Sequence, residues 1–181
     1  MRKEMVFVGS GGQGVQTLGR LFALVLNKKG YLSSFKANYG PEARGGNSSA
    51  QVVIRESNSD WPEMLNVDLL VVMSQEGYKI WTSKIDSSAT VIYDSYLIRE
   101  TAERKDQYAV PATRVAEEMG IAQSANIVML GAVAAITGLT TLKDFEGQIP
   151  RRGNSNTNEK ALEAGFNLGL EAKAKAGQKV A

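Results

Sequence analysis

The residues near the start of the chain best suited to bind a ligand are the glycines of GSGGQG, Gly9 to Gly14. Gly9, Gly11 and Gly14 match the spacing G-x-G-x-x-G, and they lie between an apolar run and a segment with helical periodicity. Glycines at such a turn permit positive φ angles and close backbone approach, and the N-terminus of the following helix favours an anion. The motif therefore predicts a site for an anion or a partner, or else a tightly packed turn.

A dinucleotide site has only half of its expected sequence pattern. In dinucleotide-binding folds an acidic residue about 20 positions after the glycines binds the ribose. The corresponding segment, 28–36, contains no Asp or Glu, and its lysines give only weak support for an additional phosphate. The glycines alone thus leave a nucleotide, another anion, a partner and simple packing open.

A second glycine-rich stretch, YGPEARGGN at 39–47, is the less common pattern. In a doubly wound sheet it would follow the second strand at the carboxyl edge, close to the first glycine loop. Arg44 could bind a carboxylate or phosphate in bidentate fashion, and Glu42 could orient it or titrate. Alternatively, both are solvated loop charges, and Gly45 and Gly46 only restart a strand.

The chain contains no Cys and no His. Without Cys it holds neither a thiolate-ligated iron–sulfur cluster nor a disulfide, and without His it lacks the usual general base near neutral pH and the commonest zinc ligand. We assign no catalytic residue and no metal ligand, so any redox or acyl chemistry must come from a cofactor or another chain. A net charge of +2, with scattered basic residues, does not suggest nucleic-acid binding.

The elements that must position these loops alternate between strands and helices. Strands are predicted over 4–8, 31–36, 48–55, 67–73, 89–94 and 108–110, and helices over 15–29, 75–85, 113–119, 124–137 and about 156–175. The last helix follows a polar break at 150–155. The pattern predicts one domain over 1–181 of the α/β class: a single doubly wound, mostly parallel, Rossmann-like sheet with flanking helices and a helical C-terminal part.

Four further residues have less specific interpretations. Asp94, at the end of a strand, is expected to form a turn or cap a helix rather than act in acid–base chemistry. Asn126, in the helix predicted over 124–137, is expected to cap that helix rather than to bond across a subunit contact. Trp61 and Trp81 are equally suited to interface contacts and to core packing.

The apolar pattern also bears on where the protein resides. The longest apolar run, Ile127 to Ile136, is too short to span a bilayer. The first residues lack the long apolar region of a secretory signal. We therefore expect a cytoplasmic protein with no membrane segment.

Three motifs together resemble a known family. GSGGQG near the start, YGPEARGG after the second strand and NIVMLG at 126–131 are similar, in this order, to the gamma subunit of 2-oxoacid:ferredoxin oxidoreductases of pyruvate, 2-oxoglutarate or ketoisovalerate type. The resemblance extends from residue 6 to about 166. It implies a subunit, inactive alone, of an oxidoreductase that acts on the oxo group of its donor with an iron–sulfur protein as acceptor.

The resemblance also implies partners and cofactors. Thiamine diphosphate, Mg, iron–sulfur clusters and coenzyme A would be bound on or between other subunits, namely thiamine-binding alpha and beta subunits and a ferredoxin-like delta subunit, with ferredoxin as acceptor. This chain would pack on the thiamine-binding subunits and shape the access of substrate and coenzyme A. The residues implied for ligand or subunit contacts are Gly11, Gly12, Gln13, Gly14, Tyr39, Gly40, Glu42, Arg44, Gly45 and Gly46.

Three alternatives remain open from the sequence. The first is the beta subunit of an indolepyruvate:ferredoxin oxidoreductase, which resembles the same domain and would use an aryl pyruvate. The second is a stand-alone nucleotide-binding module. The third is a structural homodimer whose glycine loops serve only packing.

Overall fold

The computed structural model describes residues 2–39, 47–55, 57, 64–150 and 156–178. Its elements are β1 (Lys3–Ser10), α1 (Val15–Lys28), β2 (Leu32–Tyr39), β3 (Asn47–Arg55), β4 (Leu69–Val72), α2 (Gln75–Thr82), β5 (Thr90–Asp94), β6 (Gln107–Val110), α3 (Ala112–Glu118), α4 (Ala125–Thr137) and α5 (Thr157–Gln178). Short 3₁₀ turns precede and follow α4, at Ala122–Ser124 and Leu142–Phe145. The predicted α/β class and the helical C-terminal part are confirmed.

The six strands form one sheet in the order β2-β3-β1-β4-β5-β6. β1, β4, β5 and β6 are parallel neighbours, whereas β3 is antiparallel to both β1 and β2. Five of the six strands therefore run in the same direction, as the prediction of a mostly parallel sheet required. The position of β3 between β1 and β2 was not predicted, and it moves the second strand one place away from the first.

The two faces of the sheet are covered unequally. On one face, α1, α3, α4 and α5 enclose the larger hydrophobic core. On the other face, Tyr78 of α2 packs over Val6, Val8 and Leu70 in a smaller core. Because α1 follows β1 on one face and α2 follows β4 on the other, the winding of the chain reverses between β1 and β4.

The contact between α4 and α5 depends on glycine. A Cβ atom built on Gly131 would overlap the carbonyl oxygen of Leu162, and one built on Gly165 would overlap that of Val128. Any side chain at these positions would therefore force the two helix backbones apart. The small residues of α4 thus belong to the core, and the last helix docks on the body of the domain.

A buried carboxylate, that of Glu4, stabilises the edge of the sheet at the amino ends of the parallel strands. Glu4 on β1 is 3% exposed, and it accepts hydrogen bonds from the backbone N–H groups of Leu65 (2.5 Å) and Asn66 (2.6 Å) and from Nε of Arg2 (2.6 Å). These bonds hold the segment that leads into β4. The buried acid is structural, and nothing in the local pattern of the first strand predicted it.

None of the helices in the described ranges combines the length and the hydropathy needed to cross a bilayer.

Candidate functional site

The carboxyl ends of β1 and β4 meet beside the first glycine loop, where the winding of the sheet reverses. Open α/β sheets bind their ligands in the crevice at this position. Here the crevice holds the side chain of Gln13, whose Nε2 donates to the Met73 carbonyl (2.8 Å) and whose Oε1 accepts from the Ser10 N–H (2.6 Å). Through its nitrogen and its oxygen, the amide thus joins the ends of the two strands.

The backbone of the loop requires glycine at particular positions. Gly12 and Gly14 have φ angles of 88° and 71°, which residues with a Cβ rarely adopt. A Cβ on Gly9 would lie 2.6 Å from Oε1 of Gln13 and 2.7 Å from Cγ1 of Val15. The tight turn foreseen from the sequence thus accounts for three glycines of the motif without invoking a ligand.

Asn126 connects the glycine loop to α4. Its Nδ2 donates to the Gly14 carbonyl (3.2 Å), and the residue is 8% exposed. The N-cap of α4 is Ser124, so the expectation that Asn126 caps its own helix is wrong. The side chain of the second helical residue reaches the neighbouring loop instead, and the available signal was a lone amide at the start of an otherwise apolar helix.

Two features of this edge argue against a dinucleotide. The crevice that would receive the pyrophosphate side of the ligand is crossed by the Gln13 amide. In addition, β3 separates β1 from β2, so the end of β2 lies about 10 Å from β1 rather than about 5 Å. An acid at the end of β2 would therefore be displaced from the usual ribose position.

The second glycine-rich segment is anchored beside the first loop. Tyr39 at the end of β2 pairs with Ser48, and Asn47 at the start of β3 pairs with Ser10. Nε2 of Gln16, in the first turn of α1, donates to Oγ of Ser48 (3.0 Å). The segment between β2 and β3 leaves and re-enters the sheet at the same edge as the first loop, as predicted.

Most of the contact residues predicted in the second segment lie outside the described residues. These are Gly40, Glu42, Arg44, Gly45 and Gly46. Tyr39 is described as the last residue of β2, without its side chain. For this half of the site the structure gives the anchoring strands, and the roles of these residues stay predictions.

The first turn of α1 presents backbone donors at this edge. Gly14 is its N-cap and has no side chain to cap the helix, and the first turn contains no acidic residue. Gly11 and Gly12 are exposed beside it. A carboxylate, phosphate or carbonyl group brought by a ligand or a partner would meet free N–H groups and the positive end of the helix dipole.

Asp94 has the structural role expected of it. It is fully buried, and Oδ2 accepts from the N–H (2.9 Å) and the hydroxyl (2.7 Å) of Thr113 in the first turn of α3. Oδ1 accepts from the Tyr96 N–H (3.0 Å). The carboxylate forms a turn and caps a helix, so its acceptor capacity is used within the fold.

One of the two tryptophans, Trp81, lies within the described residues. Trp81 is half-buried on α2, packs against the smaller core, and has Nζ of Lys84 5.9 Å from its ring centroid. Core packing therefore describes Trp81, whereas Trp61 lies outside the described residues.

Titratable groups with shifted pKa lie away from the glycine loop in the described part of the chain. Burial raises the pKa of Tyr93 and of Tyr108. A hydrogen bond from Lys79 lowers the pKa of Glu100, and the Thr141 N–H lowers that of Asp144. Within the same residues no cluster of three or more acidic side chains is arranged to hold a metal ion. Within the described residues, this edge thus presents mainly a shaped backbone surface.

A protein-family model matches nearly the whole length of the chain. The model for "Pyruvate ferredoxin/flavodoxin oxidoreductase" matches residues 4–168. The 2-oxoglutarate synthase subunit KorC of Methanocaldococcus jannaschii is 37% identical over 179 residues, which cover 94% of each chain.

Two solved structures are similar in fold. The gamma subunit of a keto/oxoacid ferredoxin oxidoreductase from Geobacter sulfurreducens has 28% sequence identity and a TM-score of 0.80, over 95% of this chain and 98% of that one. A 2-oxoglutarate:ferredoxin oxidoreductase from Magnetococcus marinus, with 2-oxoglutarate, coenzyme A and succinyl-CoA bound, has 20% identity and a TM-score of 0.78. That match covers 94% of this chain and 31% of the other, so the same fold there forms part of a longer chain.

The family model covers most of the chain, a curated relative is similar from end to end, and the sheet with its glycine loop has the fold of a known gamma subunit. The chain belongs to the pyruvate ferredoxin/flavodoxin oxidoreductase family, in which it is a gamma subunit of the 2-oxoacid:ferredoxin oxidoreductases.

Proposed function

We propose that this gamma subunit serves a cytoplasmic, thiamine diphosphate-dependent complex that converts 2-oxoglutarate and coenzyme A to succinyl-CoA and CO₂, with ferredoxin as electron acceptor. The observation that supports 2-oxoglutarate is the end-to-end similarity to a 2-oxoglutarate synthase subunit, at 37% identity. The thiamine cofactor would supply the carbanion chemistry. Because this chain has neither Cys nor His, the cluster ligands and the principal proton carriers belong to partner subunits.

The role that fits this chain is to position its partners. The carboxyl edge of the sheet presents Gly11 and Gly12 next to the N-terminus of α1, and the second glycine-rich segment is anchored at the same edge by Ser10 and Ser48. We propose that this edge packs on the thiamine-binding alpha and beta subunits and borders the path of substrate and coenzyme A. A ferredoxin-like delta subunit would complete the electron path.

Gln13 and Gly14 contribute to this edge through its shape. The Gln13 amide is used in bonds to Ser10 and Met73, and the Gly14 carbonyl accepts from Asn126. Gly11 and Gly12, which are exposed, are better placed for contact with a partner or ligand. Tyr39, Glu42, Arg44, Gly45 and Gly46 remain the proposed contact residues of the second segment.

The substrate assignment is tested with the assembled complex. The tagged chain is purified without oxygen together with its co-expressed partners, and viologen reduction is measured with 2-oxoglutarate, pyruvate, ketoisovalerate and indolepyruvate, with and without coenzyme A. We expect kcat/KM to be at least tenfold higher for 2-oxoglutarate, no activity without coenzyme A, and no activity of the chain alone. A preference for indolepyruvate would instead assign the chain to the aryl pyruvate enzymes.

The stand-alone nucleotide-binding alternative is tested with the isolated chain. Calorimetric titration with NAD(H), NADP(H) and ADP should give no saturable binding, because the Gln13 amide crosses the crevice. Tight binding of any of these nucleotides would overturn the scaffold role.

A further inference from the structure

The outer edge of β6, at the end of the sheet opposite β2, presents backbone groups to a groove. Among the described residues β6 pairs only with β5. The carbonyls of Asp106 and Val110 accept bonds from the β5 side at 2.9 and 3.0 Å. Since backbone groups alternate in direction along a strand, the N–H and C=O of Gln107 and Ala109 point away from β5. The edge therefore offers a template for an additional strand.

This edge lies at the floor of a groove of about 810 Å³. The segment 101–105 forms one wall, and Ala172, Lys175 and Ala176 of α5 form the other. Tyr108 packs with the larger core on the α5 side, and Tyr93 packs with the smaller core on the opposite face. A strand added to β6 would thus be flanked on both of its faces, and the small alanine side chains leave room for it.

The charge of the groove is mainly positive. Its lining contains Arg104, Lys105 and Lys175 against a single acid, Glu103. Lys105 and Lys175 are exposed. One terminal nitrogen of Arg104 donates to the Asp86 carbonyl, whereas its buried Nε has no hydrogen-bond partner among the described residues. Carboxylates on an incoming segment would meet cations on both walls.

We propose that this groove binds an extended, acidic peptide segment of a partner protein, which pairs with β6 as a seventh strand. The four residues of β6 span about 13 Å, so about four residues of the segment would form the ladder. Backbone pairing supplies the attraction, and the lysines and arginine select acidic side chains. The surface is distinct from the glycine-loop edge at β1, β2 and β3, and its binding does not depend on the identity of the oxoacid.

The first test is a titration of the ¹⁵N-labelled full-length chain with the acetylated and amidated hexapeptide EVTVEV. We expect saturable shifts centred on the amides of Gln107 and Ala109, and at least tenfold weaker binding of the matched basic peptide KVTVKV. No saturable shift at millimolar peptide, shifts centred elsewhere, or equal binding of both peptides would each overturn the proposal.

The second test separates backbone pairing from simple charge attraction. Ala109→Pro removes the outward N–H while leaving the bonds to β5, and edge strands tolerate proline at such positions. The matched variant Ala109→Thr keeps the N–H. We expect EVTVEV to bind the proline variant at least tenfold more weakly than the threonine variant, and equal affinities would contradict strand addition.

A charge variant keeps the proposal testable if Ala109→Pro does not fold. Combining Lys105→Glu with Lys175→Glu changes two exposed side chains and should reverse the preference, so that KVTVKV binds more tightly than EVTVEV. An unchanged preference would overturn the selection of acidic segments. Amide spectra of each variant without peptide verify that the fold is intact.

Discussion

The glycine loop and the α4–α5 contact use the same residue type for different physical purposes. In the loop, Gly12 and Gly14 adopt positive φ angles, and the bonds of Gln13 fix the turn at an exposed edge. In the helix pair, Gly131 and Gly165 let two backbones touch inside the core. From this difference we expect the exposed glycines to serve contacts with a ligand or partner, and the buried glycines to matter more for the stability of the fold.

The largest effect expected from this comparison is at Gly165. A Cβ on Gly165 would overlap the Val128 carbonyl oxygen. Because the two helix backbones that carry these atoms are packed together and cannot move apart freely, Gly165→Ala should lower the free energy of unfolding by about 3 kcal/mol or more. Gly177→Ala is the matched control, because a Cβ there meets nothing within 4 Å. Urea denaturation measures both, and a loss below about 0.5 kcal/mol at Gly165 would refute the close contact.

The second-largest expected effect is at Gln13, whose side chain holds the glycine loop through its bonds to Ser10 and Met73. Gln13→Ala leaves the Ser10 N–H and the Met73 carbonyl without their side-chain partner, so a loss of about 2 kcal/mol is expected, with faster amide exchange in residues 9–14. Gln16→Ala removes one hydrogen bond to Ser48 and should cost about 1 kcal/mol or less. Equal losses in the two variants would show that Gln13 does not brace the turn.

Much of this fold follows from periodicity, and the main misses follow from long-range contacts. The order and type of the elements were predictable because apolar alternation and helical spacing are local signals. The insertion of β3 between β1 and β2 is a choice of strand partner, which no local pattern encodes. The glycines of the loop were visible in the sequence, but Gln13 bonds to a residue 60 positions away and Asn126 to one 112 positions away.

Coupling between the two regions is tested through Gly14 and Asn126. Gly14→Ala combines a positive φ with a Cβ 2.5 Å from Nδ2 of Asn126, so a loss of about 2 kcal/mol is expected. Asn126→Ala alone should cost about 1 kcal/mol through the lost bond to the Gly14 carbonyl. In the double variant Gly14→Ala/Asn126→Ala the new Cβ no longer meets the Asn126 amide, so the loss should be smaller than the sum of the two single losses. Strictly additive losses in this double-mutant cycle would show that Gly14 and Asn126 are not in contact.

The smallest expected effect on stability is at Asp144, which pairs with Lys29 just after the C-terminus of α1. The Thr141 N–H, followed by Lys29 at 2.9 Å, lowers the pKa of Asp144 below its usual 3.8. Because the folded pKa is lower than the unfolded one, the ionised carboxylate contributes stability above about pH 4, which is lost as the pH falls through the lowered value. Asp144→Asn should therefore be less stable than the parent by at most about 1 kcal/mol near pH 6.

The control for this effect is its pH dependence. Urea midpoints of the parent and of Asp144→Asn should converge as the pH is lowered from about 6 to about 3. A difference that stays constant with pH would assign the effect to packing rather than to charge.

The central claim is that the exposed glycine-loop edge joins this gamma subunit to its thiamine-binding partners. The most direct measurement is anoxic co-purification of the tagged chain with its partner subunits, quantified by mass spectrometry, for the parent, Gly11→Glu and Ser87→Glu. Gly11 lies exposed in the loop, and Ser87 is an exposed residue just before β5 at the opposite edge. The account predicts at least tenfold less partner recovery and activity with Gly11→Glu, at unchanged stability, and normal recovery with Ser87→Glu. Equal recovery with both variants would contradict it.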